Sequence, residues 1–231
     1  MRTKKKNNKI VMVDERKKEQ KGFSKKKKKA RTAQDTIPFD EVYDILLNND
    51  IEILTPEWIE EMLMFAQRDD VGAVGAKLYY PDDTVQHAGV GIGLLTLAGH
   101  YHKGFPRRHP GYMGRLIYAH NVSAVTAALV MIPRRVWDEV EGLDEGYAVA
   151  FNDIDLCMKI RKAGYLIVFT PFTEAYHYES KSRGVEDTPA KRARFESEVK
   201  RFYSKWQDEL DAGDPYYNPN FSLDSEDFSI R

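Results

Sequence analysis

The chain has 231 residues, of which 42% are hydrophobic and 31% are charged, and its formal net charge is −1. These values predict one domain with tails and a buried core, and they exclude a fibrous or low-complexity protein. A single cysteine, Cys157, excludes a disulfide framework and a cysteine-based zinc cluster, and it favours a reducing compartment. The longest apolar runs, 88–99 and 122–133, are too short to cross a membrane, and no signal peptide is predicted.

The N-terminal part is strongly basic. Residues 1–32 contain 15 Lys or Arg and 3 Asp or Glu, a local charge of +12, so the remaining residues carry −13. Adjacent ammonium groups such as Lys25–Lys29 repel each other and resist burial, which predicts a basic, partly disordered segment over residues 1–36. A solvated arm is the simplest interpretation, and contact with an anionic membrane surface stays open. We do not expect nucleic acid as a partner, because the acidic body would repel its phosphates, and a nucleic-acid binder that uses the basic arm is the least favoured alternative function.

The predicted elements begin with two short apolar strands. The first, Lys9–Val13, is followed by Asp14, and the second covers 42–47 and runs into Asn48-Asn49-Asp50. Thr55-Pro56-Glu57 then predicts the start of a helix, with a hydroxyl cap, a proline in the first turn and an acid at the positive end of the helix dipole.

Strands and helices alternate in most of the remaining chain. Residues 89–121 are an exception, because they are rich in Gly, His and aromatic residues without a clear period and predict an irregular excursion. Strands are predicted over 71–78, 124–132, 165–169 and 173–178, and helices over 136–140, 153–163 and from Thr188-Pro189 onward. The alternation predicts a three-layer α/β domain over 37–213 with a mostly parallel central sheet, followed by a tail over 214–231. In such sheets, ligands bind at the carboxyl ends of the strands.

Three polar features fall at strand ends or helix starts. They are Asn48-Asn49-Asp50, Asp153 and His177, and each also has a structural explanation as a turn residue, a helix cap or a buried imidazole. Together they suggest chemistry, because Asp50 and His177 can hold a divalent cation with open positions and Asn48 can add a neutral oxygen. Asp153 can then accept a proton from an attacking hydroxyl. A cation, a diphosphate leaving group and a carboxylate base are the components of sugar transfer from a nucleotide sugar.

Two further groups of residues have weaker interpretations. His87, His100 and His102 resemble part of a metal site, but a zinc site needs three or four ligands at defined spacing and no convincing fourth is present. We therefore interpret them as exposed histidines of an acceptor-side loop. Arg107 and Arg108 are interpreted as surface charges, with contact to an anionic acceptor such as a lipid diphosphate as the alternative.

Several motifs along the chain point to the same family. They are Ile45–Glu52, Thr55–Trp58, Val71–Leu78, Gln86–Gly89, Gly142–Glu145, Phe151–Leu156, Lys162–Tyr165 and Tyr176-His177. From about Tyr43 to the C-terminus, the chain resembles glycosyltransferase family 2 of the GT-A fold, in its rhamnosyltransferase-like, cell-surface polysaccharide branch. The resemblance implies a Rossmann-like GT-A domain that moves a sugar from a nucleotide sugar to a glycan or lipid-linked acceptor. We expect such an enzyme in the cytoplasm, with the inner face of the membrane as a further place of action.

The resemblance also implies roles for individual residues. Asn48-Asn49-Asp50 stands where the family has its DxD motif, which holds Mn²⁺ or Mg²⁺ and the donor diphosphate. Asp153 resembles the catalytic base, and His177 resembles the metal-binding histidine. Asp14 resembles the acid that touches the nucleotide base. The implied reaction is inverting, with in-line attack by the acceptor hydroxyl.

The chain departs from the family pattern in four places. Asn48 replaces the first acid of the DxD motif, and Lys159 stands where many relatives have Arg. No Gln-x-x-Arg-Trp motif follows Asp153, which argues against a processive synthase. Only Lys9–Asp14 resembles the nucleoside-binding strands, so the first strand is expected to be missing and the donor half to be shortened. The alternative function is therefore a truncated or remodelled domain that binds glycan or metal with weak or no catalysis.

Overall fold

The computed structural model describes residues 8–13, 42–178 and 188–231. The predictions for Asp14 and for Lys25–Lys29 lie outside these residues. The strands are β1 (Asn8–Val13), β2 (Tyr43–Asn48), β3 (Ile51–Ile53), β4 (Val71–Tyr79), β5 (Val85–His87), β6 (Val90–Ile92), β7 (Ala98–His100), β8 (His120–Val122), β9 (Leu129–Pro133) and β10 (Leu166–His177). The helices are α1 (Trp58–Ala66), α2 (Arg134–Glu139), α3 (Asn152–Lys162) and α4 (Pro189–Ala212).

The central sheet is mixed. Its order is β1-β2-β9-β4-β10-β3, with β5 added to β4 and β8 added to β10, while β6 and β7 form a separate small sheet. Among the described pairings, β4–β10 is parallel and the others are antiparallel. The α/β class is confirmed, and the mostly parallel sheet is corrected to a mixed one. The physical reason is that short returns such as the turn at 80–84 create antiparallel neighbours, whereas each parallel pair needs a long crossover.

The core consists of two apolar layers, one on each face of the sheet. On one face, Met62 and Ala66 of α1 pack with Val74 and Leu78 of β4. On the other face, α3 and α4 cover the sheet, and Phe202 and Trp206 of α4 are almost completely buried there. Alternate residues of a strand point to opposite faces, so β4 contributes to both layers. The result is the predicted three-layer arrangement of helix, sheet and helix.

Three predicted boundaries are wrong, each for a tertiary reason. Thr55 does not cap α1, which begins at Trp58 without a side-chain cap, because the Thr55 hydroxyl instead bonds to the backbone of β10 at Phe172 and Glu174. Residues 165–178 form one strand rather than two, because the ladder with β4 continues beyond a register shift between Thr170 and Glu174. The strand predicted over 124–132 begins only at Leu129.

The C-terminal elements agree with the sequence pattern. Thr188 caps α4, and its side chain accepts a hydrogen bond from the Lys191 amide. The tail then packs against the excursion at 89–121, where the His102 amide donates to the Glu226 carbonyl at 2.7 Å. Within the described residues, no helix is long and apolar enough to cross a membrane.

Candidate active site

The end of β10 meets the turn after β2. Because β3 pairs with β10 in the register His177–Ile51, Asp50 lies beside His177. Asp50 Oδ1 is 3.3 Å from His177 Nε2, and Asn48 Nδ2 is 3.2 Å from the same nitrogen. Asn49 is exposed in the turn and takes no part in this cluster of side chains. The structure therefore brings together three residues that the sequence places at two distant strand ends.

Gln86 fixes the orientation of the His177 ring. Gln86 Oε1 lies 2.7 Å from His177 Nδ1, and Gln86 Nε2 donates to the His177 carbonyl at 3.3 Å. An amide oxygen only accepts, so Nδ1 carries a proton and the Nε2 lone pair is left to face Asn48 and Asp50. Exchanging the oxygen and nitrogen of the Gln86 amide would place its oxygen 3.3 Å from the His177 carbonyl oxygen, and two acceptors in contact disfavour that assignment.

The geometry of this cluster fits a cation. The Nε2 lone pair and the Asp50 carboxylate are both acceptors, and their approach to 3.3 Å requires a proton or a metal ion between or beside them. A half-turn of the Asn48 amide would present its oxygen to the same point. Among residues 42–178 and 188–231, no group of three or more His, Cys, Asp or Glu side chains forms a complete metal site. A cation at this point would meet one carboxylate, one imidazole nitrogen and one amide oxygen of the described residues, which is fewer than the six or more ligands that Mg²⁺ and Ca²⁺ take.

Asp153 is held near this cluster by one short segment. It lies in the first turn of α3, after Phe151 in the left-handed conformation with φ of 61°. The backbone amide of Ala127 donates to Asp153 Oδ2 at 3.2 Å, and the backbone amide of Asn48 donates to the Ala128 carbonyl at 2.9 Å. Residues 126–128 therefore join the base candidate to the Asp50–His177 cluster. This segment is loop rather than strand, which explains why β9 begins late.

His87 contacts the same segment through the Thr126 amide. It is buried, and its Nε2 faces the amides of Gly89 at 3.3 Å and Thr126 at 3.5 Å. Its Nδ1 lies 3.0 Å from His100 Nδ1. Burial, with smaller contributions from His100 and His177, holds the pKa of His87 well below its usual range, so the ring is neutral.

The three histidines of the excursion do not form one site. His102 is buried elsewhere, where its Nε2 accepts from the Tyr112 amide at 2.9 Å and its ring stacks on Phe228. The interpretation of His87 and His102 as exposed is therefore wrong. Their partners are backbone amides and aromatic rings from distant segments, which spacing along the sequence does not reveal.

Gln86 is the residue that the site prediction missed. In the sequence, Gln86 is part of the Gln86–Gly89 motif and has no predicted role of its own. The available signal is its place in β5, directly after a turn at Pro81 and Asp82 that returns the chain along β4. The contact itself depends on how β5 lies relative to the end of β10.

The neighbouring polar residues of α3 are structural. Asp155 is fully buried, and its Oδ1 accepts from Trp206 Nε1 at 2.8 Å and from Lys205 Nζ at 2.7 Å. Lys159 donates from Nζ to the carbonyls of Val140 and Gly142. These contacts join α3 to α4 and to the loop before it, on the side away from Asp153.

Comparison with known proteins identifies the class. A solved structure described as "Crystal structure of GalNAc-T7 with UDP, GalNAc and Mn2+" has the same fold, with a TM-score of 0.52, 15% identity and coverage of 72% of this chain and 32% of that chain. The fold is therefore that of a GT-A glycosyltransferase. Residues 6–195 match the family described as "Glycosyltransferase like family 2", and the chain belongs to this family.

Two curated bacterial relatives match most of this chain. The chain is 54% identical over 186 residues to "Uncharacterized protein y4gI" of Sinorhizobium fredii, which covers 80% of this chain and 20% of the relative. It is 36% identical over 189 residues to "O-antigen biosynthesis protein RfbC" of Myxococcus xanthus, which covers 81% of this chain and 14% of the relative. The chain thus spans a fifth or less of the length of these relatives.

Proposed function

We propose that this domain transfers a sugar from a nucleotide-sugar donor to a hydroxyl of a glycan or lipid-linked acceptor, with inversion and with a divalent cation. The observation that carries the proposal is the approach of Asp50 to His177 Nε2 at 3.3 Å, beside the segment that holds Asp153. The name of the Myxococcus relative supports a role in cell-surface polysaccharide assembly. On this basis, residues 37–213 form the catalytic domain, and it acts in the cytoplasm at the inner face of the membrane.

Asp50, His177 and Asn48 are the residues that would hold Mn²⁺ or Mg²⁺. When bound there, the ion neutralises charge on the diphosphate that leaves with the nucleoside. Gln86 keeps the Nε2 lone pair of His177 available for this contact. Asp14 would touch the nucleotide base, as in the family pattern.

Asp153 is the proposed base. Its oxygens accept from the backbone amides of Ala127 and Ile154, which orient the carboxylate without burying it. Inverting transfer needs a single base that deprotonates the acceptor hydroxyl as it attacks, and no protein nucleophile. Asp155 cannot share this task, because it is buried between Lys205 and Trp206.

A second candidate function is a remodelled domain that binds metal or glycan with weak or no catalysis. The observation in its favour is Asn48, which leaves Asp50 as the single acid beside His177 among the residues that the structure describes. A site with one less negative charge holds a cation less tightly.

Titration calorimetry and a transfer assay test both candidates. UDP, GDP and dTDP are each titrated into the protein with and without Mn²⁺, and transfer from the matching sugar nucleotides is then measured. We expect one nucleotide to bind only with Mn²⁺, and Asp50→Asn to abolish this dependence. Binding without transfer from any donor would favour the second candidate, and no cation-dependent nucleotide binding would contradict the proposed function.

A further inference from the structure

A cavity of about 280 Å³ opens beside β10, away from the Asp50–His177 cluster. Its wall includes Lys77, Arg107, Arg108 and Glu174, with Ile117 and Phe172 at the apolar side. Glu174 and His177 are three residues apart on β10, which corresponds to about 10 Å along a strand. The cavity is therefore separate from the proposed cation site, and the distance between them is about the length of one or two sugar units.

The positive charge of this cavity exceeds its negative charge. Both oxygens of Glu174 are occupied, Oε1 by the Tyr79 hydroxyl and Oε2 by Arg107 at 3.1 Å. Lys77 is 4% exposed, and its Nζ donates to the Leu116 carbonyl at 3.0 Å. Within the described part of the chain, neither Lys77 nor Arg108 forms an ion pair with a carboxylate. A buried ammonium carries three donors, so Lys77 retains donors for an anion in the cavity.

The buried ammonium is costly unless an anion joins it. Burial lowers the pKa of Lys77, and the nearby Arg107 adds to this effect, while Glu174 opposes it. A bound anion would offset the desolvation of the ammonium group.

The mouth of the cavity is apolar. The exposed fraction of Ile117 is 61% and that of Phe172 is 48%, and both line the opening. Met113, in the same excursion, is 77% exposed. Arg107 is paired with Glu174 and Asp83, but Lys77 and Arg108 leave the cavity with excess positive charge. Large apolar side chains beside such a cavity match a ligand with an anionic end and an apolar chain.

We propose that this cavity binds a phosphate group carried on an apolar chain, with Lys77, Arg107 and Arg108 on the phosphate oxygens and Ile117 and Phe172 on the chain. Such a compound would anchor a lipid-linked acceptor at the proposed active site, and this role rests on the proposed function. The binding itself does not rest on it, because the cavity contains none of the residues assigned to the cation or the base.

The test measures binding of geranyl phosphate to the full chain without nucleotide or metal ion, by titration calorimetry. Inorganic phosphate and geraniol are the two comparison ligands. We expect geranyl phosphate to bind at least tenfold tighter than either one, because only it satisfies both parts of the cavity. Equal affinity for inorganic phosphate would indicate a plain anion site and contradict the proposal, as would equal affinity for geraniol.

Three variants locate the binding. Lys77→Met keeps the volume of the side chain and should weaken geranyl phosphate about tenfold or more. Arg108→Ala should weaken both phosphates several-fold, whereas Ile117→Ser should weaken geranyl phosphate and leave inorganic phosphate unchanged. Lys103→Ala, which removes an exposed cation of the same excursion outside the cavity, is the matched control and should have no effect.

The surface variants Arg108→Ala and Ile117→Ser keep the test decisive even if Lys77→Met does not fold. Wild-type affinity in both would overturn the proposal. Cation-dependent nucleotide binding is measured separately on the same wild-type protein. Absence of cation-dependent nucleotide binding would contradict the proposed function. Failure to bind geranyl phosphate would contradict only the assignment of the cavity.

Discussion

Asp153 and Asp155 lie two residues apart on α3 and have opposite surroundings. Asp155 is enclosed by Trp206 and Lys205, and its oxygen Oδ1 has two donors at 2.7–2.8 Å. Asp153 accepts from two backbone amides, Ala127 on Oδ2 and Ile154 on Oδ1, and remains partly open to solvent. Asp155 joins two helices and is closed to solvent, whereas a carboxylate that acts as a base needs access for its substrate, which Asp153 has.

The same contrast holds for two histidines. His102 is enclosed by an aromatic ring and a backbone amide, and the fold uses it as a neutral packing residue. His177 is oriented by Gln86 on one side and left with a lone pair facing a carboxylate on the other. The direction in which the polar atoms face, and not the lack of a partner, therefore separates the proposed site from its supports, because among these four described residues the buried atoms without a hydrogen-bond partner are Asp155 Oδ2 and His102 Nδ1 of the supports.

The largest expected effect is on turnover in Asp153→Asn. This change keeps the shape of the side chain and removes its basicity, so the transfer rate should fall by roughly 10²–10⁴-fold while the nucleotide Kd stays near wild type. The measurement is the rate of sugar transfer together with calorimetry of the nucleotide. A parallel loss of rate and nucleotide affinity would show that Asp153 acts in donor binding instead.

Asp155→Asn is the matched change on the structural side. It weakens the contacts with Lys205 and Trp206, so urea unfolding should show a loss of about 1–3 kcal/mol in the free energy of unfolding, with turnover retained below the unfolding transition. Asp153→Asn should change this free energy by less than about 0.5 kcal/mol, as substitutions outside the core do. If the two stability effects were reversed, the contrast between the acids would be wrong.

Gln86→Ala tests the orientation of His177. Without the amide oxygen, the ring loses the partner that fixes its tautomer, and the Kd for Mn²⁺ should rise by about 10–100-fold. Electron paramagnetic resonance of free Mn²⁺ measures this affinity without any donor or transfer step. Gln86→Glu keeps an oxygen acceptor and should restore most of the affinity.

A purely structural role of Gln86 predicts a different pattern. In that case Gln86→Glu would be as defective as Gln86→Ala, and the ¹⁵N resonances of His177 would not change tautomer between the variants. Unchanged Mn²⁺ affinity in Gln86→Ala would remove Gln86 from the site altogether.

Patterns along the chain predict the local elements of this fold better than their pairing. The cap at Thr188 and the apolar positions of α4 depend on neighbours within a few residues, and α4 begins where the pattern predicts. The direction of each strand depends on which distant strand it joins, so the mixed sheet was not predictable from alternation alone. Thr55 shows the limit for caps, because a contact with β10 competes with the local role.

The site follows the same division. Asp50 and His177 could be placed together because strand ends gather at one edge of an α/β sheet. Gln86 could not, because its role depends on the pairing of β5 and β10 with the same strand, β4, which brings Gln86 to His177 although no sequence pattern links the two strands. The strand predicted over 124–132 includes the segment 126–128, because its small residues fit a strand. Only the structure shows that the backbone of this segment bonds to Asp153 and Asn48.

The smallest expected effect concerns pH and His102. Burial lowers the pKa of His102 to about 3, with smaller contributions from Arg115 and other nearby cationic groups. Since the unfolded pKa is about 6.5, the unfolded chain binds the proton more readily, and the stabilisation present above pH 6.5 is lost progressively as the pH falls towards 3. His102→Gln keeps an acceptor for the Tyr112 amide and cannot titrate, so its free energy of unfolding should decline less steeply between pH 6.5 and 4 than that of wild type. Urea unfolding at several pH values measures the difference, which isolates His102 from carboxylates and from other buried histidines common to both proteins. Equal slopes would mean that His102 has the same pKa in the folded and the unfolded chain. The aromatic ring and amide around it would then not enclose it, as the contrast with His177 requires.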